Sequence, residues 1–210
     1  MKIGIIGAGN VGGTLGKRWA KNGHQVTFAY RSSPPETLLR ESGPTAKAAT
    51  PAETARSSDV LLLATPWENA EDALKGCGDL SGKTVIDATN PLLPGLAGLA
   101  LGTTTSAAER VAALAPGAKV VKAFNTVGAN VMADPAFPQG RTTMFYCGDD
   151  AAAKDAVAGL ISELGFDPVD AGPLTQARLL EPFAMLWISL ALQRGQGREI
   201  ALQLIKRSKA

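Results

Sequence analysis

Between Lys2 and Asn22 the chain reads as a short apolar strand, a turn rich in glycine, and a helix. The segment is Lys2-Ile-Gly-Ile-Ile-Gly7-Ala-Gly9-Asn-Val-Gly12, a G-x-G-x-x-G pattern set where strand gives way to helix. Each glycine has its own task there. Gly7 permits the tight turn, Gly9 lets the backbone approach a pyrophosphate, and Gly12 lets the helix pack close to the strand. The amides from Ala8 through Asn10 to Val11 then sit at a helix N-terminus, where negative charge is favoured. A glycine turn alone also serves purely structural ends. Here a second strand, Gln25–Tyr30, follows at the expected distance, and the pattern reads as a dinucleotide-binding unit.

The rest of the chain repeats the alternation. Strands are expected at Ala46–Ala49, Val60–Ala64, Thr84–Asp87, Lys119–Lys122, Thr143–Cys147 and Pro168–Ala171. Helices are expected at Val11–Asn22, Ala52–Ser57, Glu68–Lys75, Ser106–Leu114, Ala151–Leu164 and Gln176–Gln193. Asn22-Gly23 closes the first helix, and Asp149-Asp150 and Thr175 suit the starts of later ones. Such alternation predicts an α/β fold of the Rossmann type, a doubly wound parallel sheet covered on both faces, with a short helical C-terminal extension. The expected division is residues 1–148 for the nucleotide-binding domain. Residues 149–210 form a small α/β extension that contributes to the substrate site and to a dimer contact. The segment Pro91–Thr105 is a long loop, and loops of that length are usually functional or mobile. The last helix is apolar nearly all round, through Phe183, Met185, Leu186, Trp187, Ile188, Leu190 and Leu192, so it must be buried on most sides. Packing on the sheet or a homodimer interface would bury it, and the dimer is preferred.

Composition excludes several functions. The chain of 210 residues carries 21 Lys and Arg against 19 Asp and Glu, a net charge of +2 too weak to argue for nucleic acid. Two cysteines without ligand spacing and one histidine give no metal site. Glycines and Asn10 break up the N-terminal apolar stretch, which spoils a secretion signal. The longest largely apolar run, Phe183 to Leu192, is about half the roughly 20 residues that span a bilayer. A soluble, cytoplasmic protein is expected.

The end of the second strand selects the cofactor. Enzymes that take NAD usually place an acid there for the ribose 2′-hydroxyl. This chain has Ala29-Tyr30-Arg31-Ser32-Ser33. A guanidinium and two hydroxyls suit a 2′-phosphate, so NADP(H) is favoured over NAD; the alternative is that Arg31 is one more solvated loop arginine. Ligands of open parallel sheets bind beyond the carboxyl ends of the strands. Ala64-Thr65-Pro66-Trp67, Asp87-Ala-Thr-Asn90-Pro91 and Lys122-Ala-Phe-Asn125-Thr126 arrive there, with Asn90, Asn125 and Thr126 able to bond a carboxamide, a ribose or a second substrate. Each is also an ordinary turn residue.

No acid–base group stands out. His24 lies in the turn entering the second strand, at the amino edge of the sheet and away from the cofactor. Lys122 and Asp87 are the remaining candidates, and no partner for either is evident. A carbonyl reductase needs a proton donor, whereas hydride passing between two aromatic cofactors needs chiefly the alignment of two rings. The second case fits better, and no catalytic side chain is assigned.

Taken together, the glycine turn, Tyr30-Arg31, Ala64-Thr65-Pro66-Trp67, Asp87 to Pro91, Lys122 to Thr126 and Leu180-Glu181-Pro182 resemble NADPH-dependent reductases of the deazaflavin coenzyme F420. They are also similar to the reductase domain of membrane metalloreductases. The resemblance covers most of the chain. It implies NADP(H) held by Ala8 to Val11, Tyr30, Arg31 and the Thr65 loop, a flavin or deazaflavin stacked on the nicotinamide, and a homodimer. Ser32-Ser33-Pro34-Pro35 stands where some relatives carry further basic residues, which points to a modest preference for NADP. The acceptor is left open among F420, FMN, FAD and another small molecule. Two other readings stand beside this one: an imine or carbonyl reductase of the pyrroline-carboxylate or hydroxyacid dehydrogenase type, and a protein that senses NADP(H) without turnover.

Overall fold

The computed structural model describes residues 1–207. In chain order the elements are β1 (Lys2–Ile6), α1 (Asn10–Lys21), β2 (Gln25–Ala29), α2 (Glu36–Ser42), β3 (Ala46–Ala49), α3 (Pro51–Ser57), β4 (Val60–Leu63), α4 (Ala70–Cys77) and β5 (Thr84–Asp87). There follow α5 (Ala107–Leu114), β6 (Lys119–Lys122), α6 (Ala129–Ala133), β7 (Ala136–Phe137), β8 (Gly140–Arg141), β9 (Thr143–Gly148), α7 (Ala151–Ser162), β10 (Asp167–Asp170) and α8 (Ala177–Ile188). An eight-stranded sheet runs β10-β9-β6-β5-β4-β1-β2-β3.

Strands β1 to β6 are parallel and doubly wound about β1, which lies between β2 and β4. Alternate side chains feed two cores, as the strand period of two requires. Ile3, Ile5, Val60 and Leu62 pack against Leu15 and Trp19 of α1 and Val157 and Leu160 of α7. Ile6, Leu61 and Leu63 pack on the other side against Leu74 of α4, Val111 of α5 and Leu180 of α8. A strand buried on both faces has no polar alternation, which is why Val60–Leu63 reads as four consecutive apolar residues.

The sheet is mixed rather than wholly parallel. Strand β9 joins β6 antiparallel through two residue pairs, Val121–Gly148 and Lys122–Cys147, and β10 then runs parallel to β9. The connection from β6 carries only the five-residue α6 and the β7–β8 hairpin, not a full helical crossover, so the direction reverses. Helices α2 and α6 and the hairpin escape the periodicity reading because each is short. The last helix also differs: a 3₁₀ turn, Leu174–Gln176, precedes α8, and Gln176 opens it with no side-chain cap, so Thr175 is not its N-cap. Beyond Ile188 the coil widens into a π turn, Ser189–Gln193. One side of α8 remains uncovered, with Leu179 66% and Leu186 53% exposed. Asp150 caps α7 as expected, accepting from the Ala153 amide at 2.8 Å, and Asn22 closes α1.

Helix α1 packs closely on the glycine turn and on β2. A methyl at Gly12 would run into the carbonyl oxygen of Gly7, and one at Gly16 would lie 2.5 Å from the Phe28 ring. Gly12→Ala must therefore move backbone, not a flexible side chain. It is expected to cost at least about 3 kcal/mol, seen as a lower urea midpoint with an unchanged slope. A loss under about 1 kcal/mol would show that the helix simply steps aside.

Candidate functional site

The glycine turn has the geometry that its sequence suggests. Gly7 holds φ at +103°, a left-handed conformation closed to most side chains. Gly9 stands extended at the N-cap of α1, and no atom lies within 4 Å of where its side chain would start. The first intrahelical bond runs from the Gly13 amide to the Gly9 carbonyl at 2.7 Å, so the amides before it have no partner inside the helix. No acid sits in the first turn to occupy them.

A cleft of about 740 Å³ opens from this turn. It is lined by Gly9, Asn10, Val11, Ala64, Thr65, Pro66 and Asn90 among the expected residues. Trp67, Ala88 and Thr89, from the segments expected at the strand ends, also line it, as do Glu68 and, from the long loop after Pro91, Leu92 to Pro94, though none of these was assigned as a binding residue. A smaller hollow of about 220 Å³ gathers Gly7, Ala29, Tyr30, Arg31, Pro51, Thr65, Pro66 and Asn69. The two share Thr65 and Pro66, so together they form a trough across the carboxyl ends of β1, β2, β4 and β5. A third hollow lies beyond Ala8, against Pro35 to Leu38. Ser32 and Ser33 are exposed beside Arg31 and line none of these hollows. Gly12 lies behind the turn, and Pro91 is buried.

Asn125 and Thr126 do not reach the cleft surface. They are 5% and 2% exposed. Asn90 donates to the Asn125 carbonyl at 2.9 Å, while the Asn125 amide donates to Asn90 Oδ1 at 3.1 Å and to the Leu180 carbonyl at 3.1 Å. Thr126 Oγ1 lies 4.0 Å from Met144 Sδ. The pair Asn90–Asn125 thus links the loop after β5 to the loop after β6 and to α8. Between them Phe124 takes φ +61°, a conformation costing a non-glycine residue roughly 1–2 kcal/mol. Its buried ring, edge-on to Trp19 with centroids 5.7 Å apart, helps hold it there.

Lys122 and Asp87 have partners that the sequence does not reveal: each other, and Glu181. Lys122 Nζ lies 2.9 Å from Asp87 Oδ2, 2.9 Å from Glu181 Oε1 and 2.6 Å from the Thr89 carbonyl, all of them buried. Glu181 also accepts from the Ala107 and Ala108 amides at the start of α5, and Asp87 accepts from the Thr89 amide at 2.9 Å. Burial alone would lower the Lys122 pKa, but Asp87 and Glu181 more than offset it and hold it above the ordinary lysine value. Its contribution to stability is therefore complete below about pH 10.5 and is lost only as pH climbs past the raised value. The network is fully engaged and faces no solvent. Cys147 nearby is inert, its thiol pushed up to about 12 by burial.

His24 sits where the turn suggested, at the amino edge. Its Nε2 contacts Glu163 at 3.0 Å and its Nδ1 the N-terminal amine at 3.1 Å. At or beside the cleft, three buried polar atoms lack a hydrogen-bond partner among the described residues: Thr65 Oγ1, Thr89 Oγ1 and Asn125 Oδ1. Among the described residues no cluster of His, Cys, Asp and Glu suits a metal ion, and no helix is long and apolar enough to cross a membrane.

Strand order that reverses direction beside a glycine turn defines a dinucleotide-binding protein of the Rossmann type. Comparison with known proteins narrows the class. Residues 2–91 match the model of the family described as NADP oxidoreductase, coenzyme F420-dependent. A protein from Arthrobacter sp. FB24 assigned as an F420-dependent NADP-reductase is 33% identical, over 98% of this chain and 100% of its own, with a TM-score of 0.88. The chain belongs to the coenzyme F420-dependent NADP oxidoreductase family. It is also 31% identical to metalloreductase STEAP3 of Rattus norvegicus, over 86% of this chain but only 36% of that protein's length. A reductive aminase of Aspergillus terreus, solved with NADPH4, cyclohexanone and allyl amine, shares the fold at 24% identity and a TM-score of 0.67, over 92% of this chain and 62% of its own. The chain is thus an NADP-dependent oxidoreductase, and NADP(H) is its dinucleotide.

Removing the ammonium at the centre of the buried network leaves two carboxylates facing one another without a counter-charge. Lys122→Met is expected to cost about 3–5 kcal/mol. The triple change Lys122→Met, Asp87→Asn, Glu181→Gln should recover most of that loss, as both midpoints from urea unfolding would show. Equal stability of Lys122→Met and the parent chain would mean that the network contributes nothing.

Proposed function

We propose that the chain transfers hydride between NADPH and a flavin-like or deazaflavin ring, with F420, FMN and FAD as the acceptors to test. The observation that carries this reading is the cleft wall. Val11, Trp67, Ala88, Leu92, Leu93 and Pro94 give it flat, apolar surface, and Glu68, exposed at the rim, is the one titratable side chain among the described lining residues. Lys122 and Asp87, the other acid–base candidates, are locked in their network. A site poor in proton donors suits two rings in register better than a carbonyl that must be protonated.

The residues present fit a dinucleotide. The α1 amides and the open space over Gly9 suit the pyrophosphate, and the hollow at Tyr30 and Arg31 suits the adenosine half, with Ser32 and Ser33 beside it for the 2′-phosphate. The larger cleft at Thr65, Ala88 and Asn90 takes the nicotinamide half, and Pro66 stiffens the loop between. NADPH, when bound there, supplies the hydride; the protein's part is to hold the rings in line and keep water away. Pro91, Asn125 and Thr126 support the floor from behind.

A homodimer completes the reading. Leu179, Pro182, Phe183 and Leu186 recur at helical spacing along the uncovered side of α8, Leu190 continues the row into the π turn, and the half-buried Phe145 extends the patch, edge-on to Phe183. An apolar stripe of this length suits a second copy of the chain, and the C-terminal segment then supplies the dimer contact, while its Trp187, Ile188 and Ala191 back the Leu92–Leu96 loop of the cleft without lining the cleft themselves. Two buried free thiols, Cys77 and Cys147, suit a cytoplasmic setting.

NADPH oxidation should appear with F420, FMN or FAD and not with simple carbonyls or imines; turnover of an imine alone would overturn the proposal, as would binding without any turnover. Arg31→Glu should weaken NADPH binding about ten- to a hundredfold while leaving NADH binding nearly unchanged. Equal losses for the two would remove Arg31 from the 2′-phosphate. Sedimentation should give a dimer that Leu186→Asp converts to monomer, and a parent chain already monomeric at micromolar concentration would exclude the interface.

A further inference from the structure

Thr89 is held by its backbone on both sides and left free at its hydroxyl. Its amide donates to Asp87 Oδ1 at 2.9 Å, and its carbonyl accepts from Lys122 Nζ at 2.6 Å. The residue lines the 740 Å³ cleft, is 3% exposed, and its Oγ1 has no hydrogen-bond partner among the described residues. An unpaired buried hydroxyl is costly, and it is retained here at the end of a rigid ionic clamp. A valine would fill the same space without that cost.

We propose that the Thr89 hydroxyl is a hydrogen-bonding partner for the nicotinamide half of the cofactor, and that the Asp87–Lys122 pair is there to position it. This rests on the reading of the trough as the seat of NADP(H). The α1 N-terminus suits the pyrophosphate and the Tyr30–Arg31 hollow the adenosine half. What remains is the carboxamide and its ribose, which fall in the cleft that Thr89 lines. A threonine hydroxyl donates and accepts, so it matches either the amide or a sugar hydroxyl. Thr65, whose hydroxyl is likewise unpaired, lies at the junction of the two hollows and is shared by both halves. Thr89 belongs to the nicotinamide end alone.

The test compares NADPH with 2′,5′-ADP, which lacks the nicotinamide half, by calorimetry on the full chain and on Thr89→Val and Thr89→Ser. Thr89→Val should weaken NADPH about three- to tenfold, leave 2′,5′-ADP unchanged, and raise the melting temperature of the free protein by about 2–4 °C. Thr89→Ser should keep the NADPH affinity. The inference is overturned by unchanged NADPH binding in Thr89→Val, by equal losses for both ligands, or by a lower melting temperature, which would reveal a structural partner. It is also overturned if only the acceptor's KM moves, since the hydroxyl would then serve the second ring. Failure of the parent chain to bind either nucleotide would instead remove the seat itself, and the inference with it.

Discussion

One ammonium group, that of Lys122, stands where three parts of the molecule meet. Its carboxylate partners come from the end of β5 and from the middle of α8, and its third contact is the main chain of the loop that floors the cleft. Glu181 in turn occupies the first amides of α5, so four elements depend on a single buried charge balance. An ion in so dry a place needs good geometry and further hydrogen bonds to its partners, and here the ammonium meets three acceptors and each carboxylate oxygen meets at least one donor. The arrangement fixes the direction in which β5 and β6 deliver their loops, and the Asn90–Asn125 pair continues the same frame one residue further out.

Much of this was legible in the sequence, for a physical reason. Fully buried parallel strands must be short and continuously apolar, and the linkers between them must be helices, so β1, β4, β5 and β6 could be placed almost to the residue. The glycine turn was legible because backbone, not side chain, makes the contact: Gly7 needs a left-handed φ, and Gly12 leaves no room for a methyl. Less legible was the direction of β9, which depends on the path between strands and leaves no mark on the strand itself. Short elements such as α2 and α6 show less than two full turns of periodicity and pass as loop.

The site divides along the same line. Tyr30 and Arg31, and the Ala64–Pro66 loop, were readable because position at a strand's end implies position at the cleft. Asn125 and Thr126 satisfy that rule too, yet they turn inward, because the left-handed Phe124 redirects the chain between β6 and α6. The partners of Lys122 were unreadable because Glu181 is distant in sequence and lies on a helix whose apolar pattern makes a buried acid unexpected. Thr89 and Leu92 to Pro94 were passed over since neither their type nor their spacing separates a cleft wall from an ordinary loop.

The two-pair seam between β6 and β9 bears on how the molecule opens. Backbone ladders elsewhere in the sheet join four residues or more, so the parallel block and the β9–β10 ribbon are each internally well laced but poorly laced to one another. Side chains carry the rest of the seam, chiefly Met144 and Tyr146 in the shared core. Amides of β9 and β10 are then coupled to those of β1 and β4 through packing more than through hydrogen bonds, the condition under which a segment can open as a unit of its own. A molecule built this way has a natural line along which its two halves can loosen while the nucleotide-binding half stays folded.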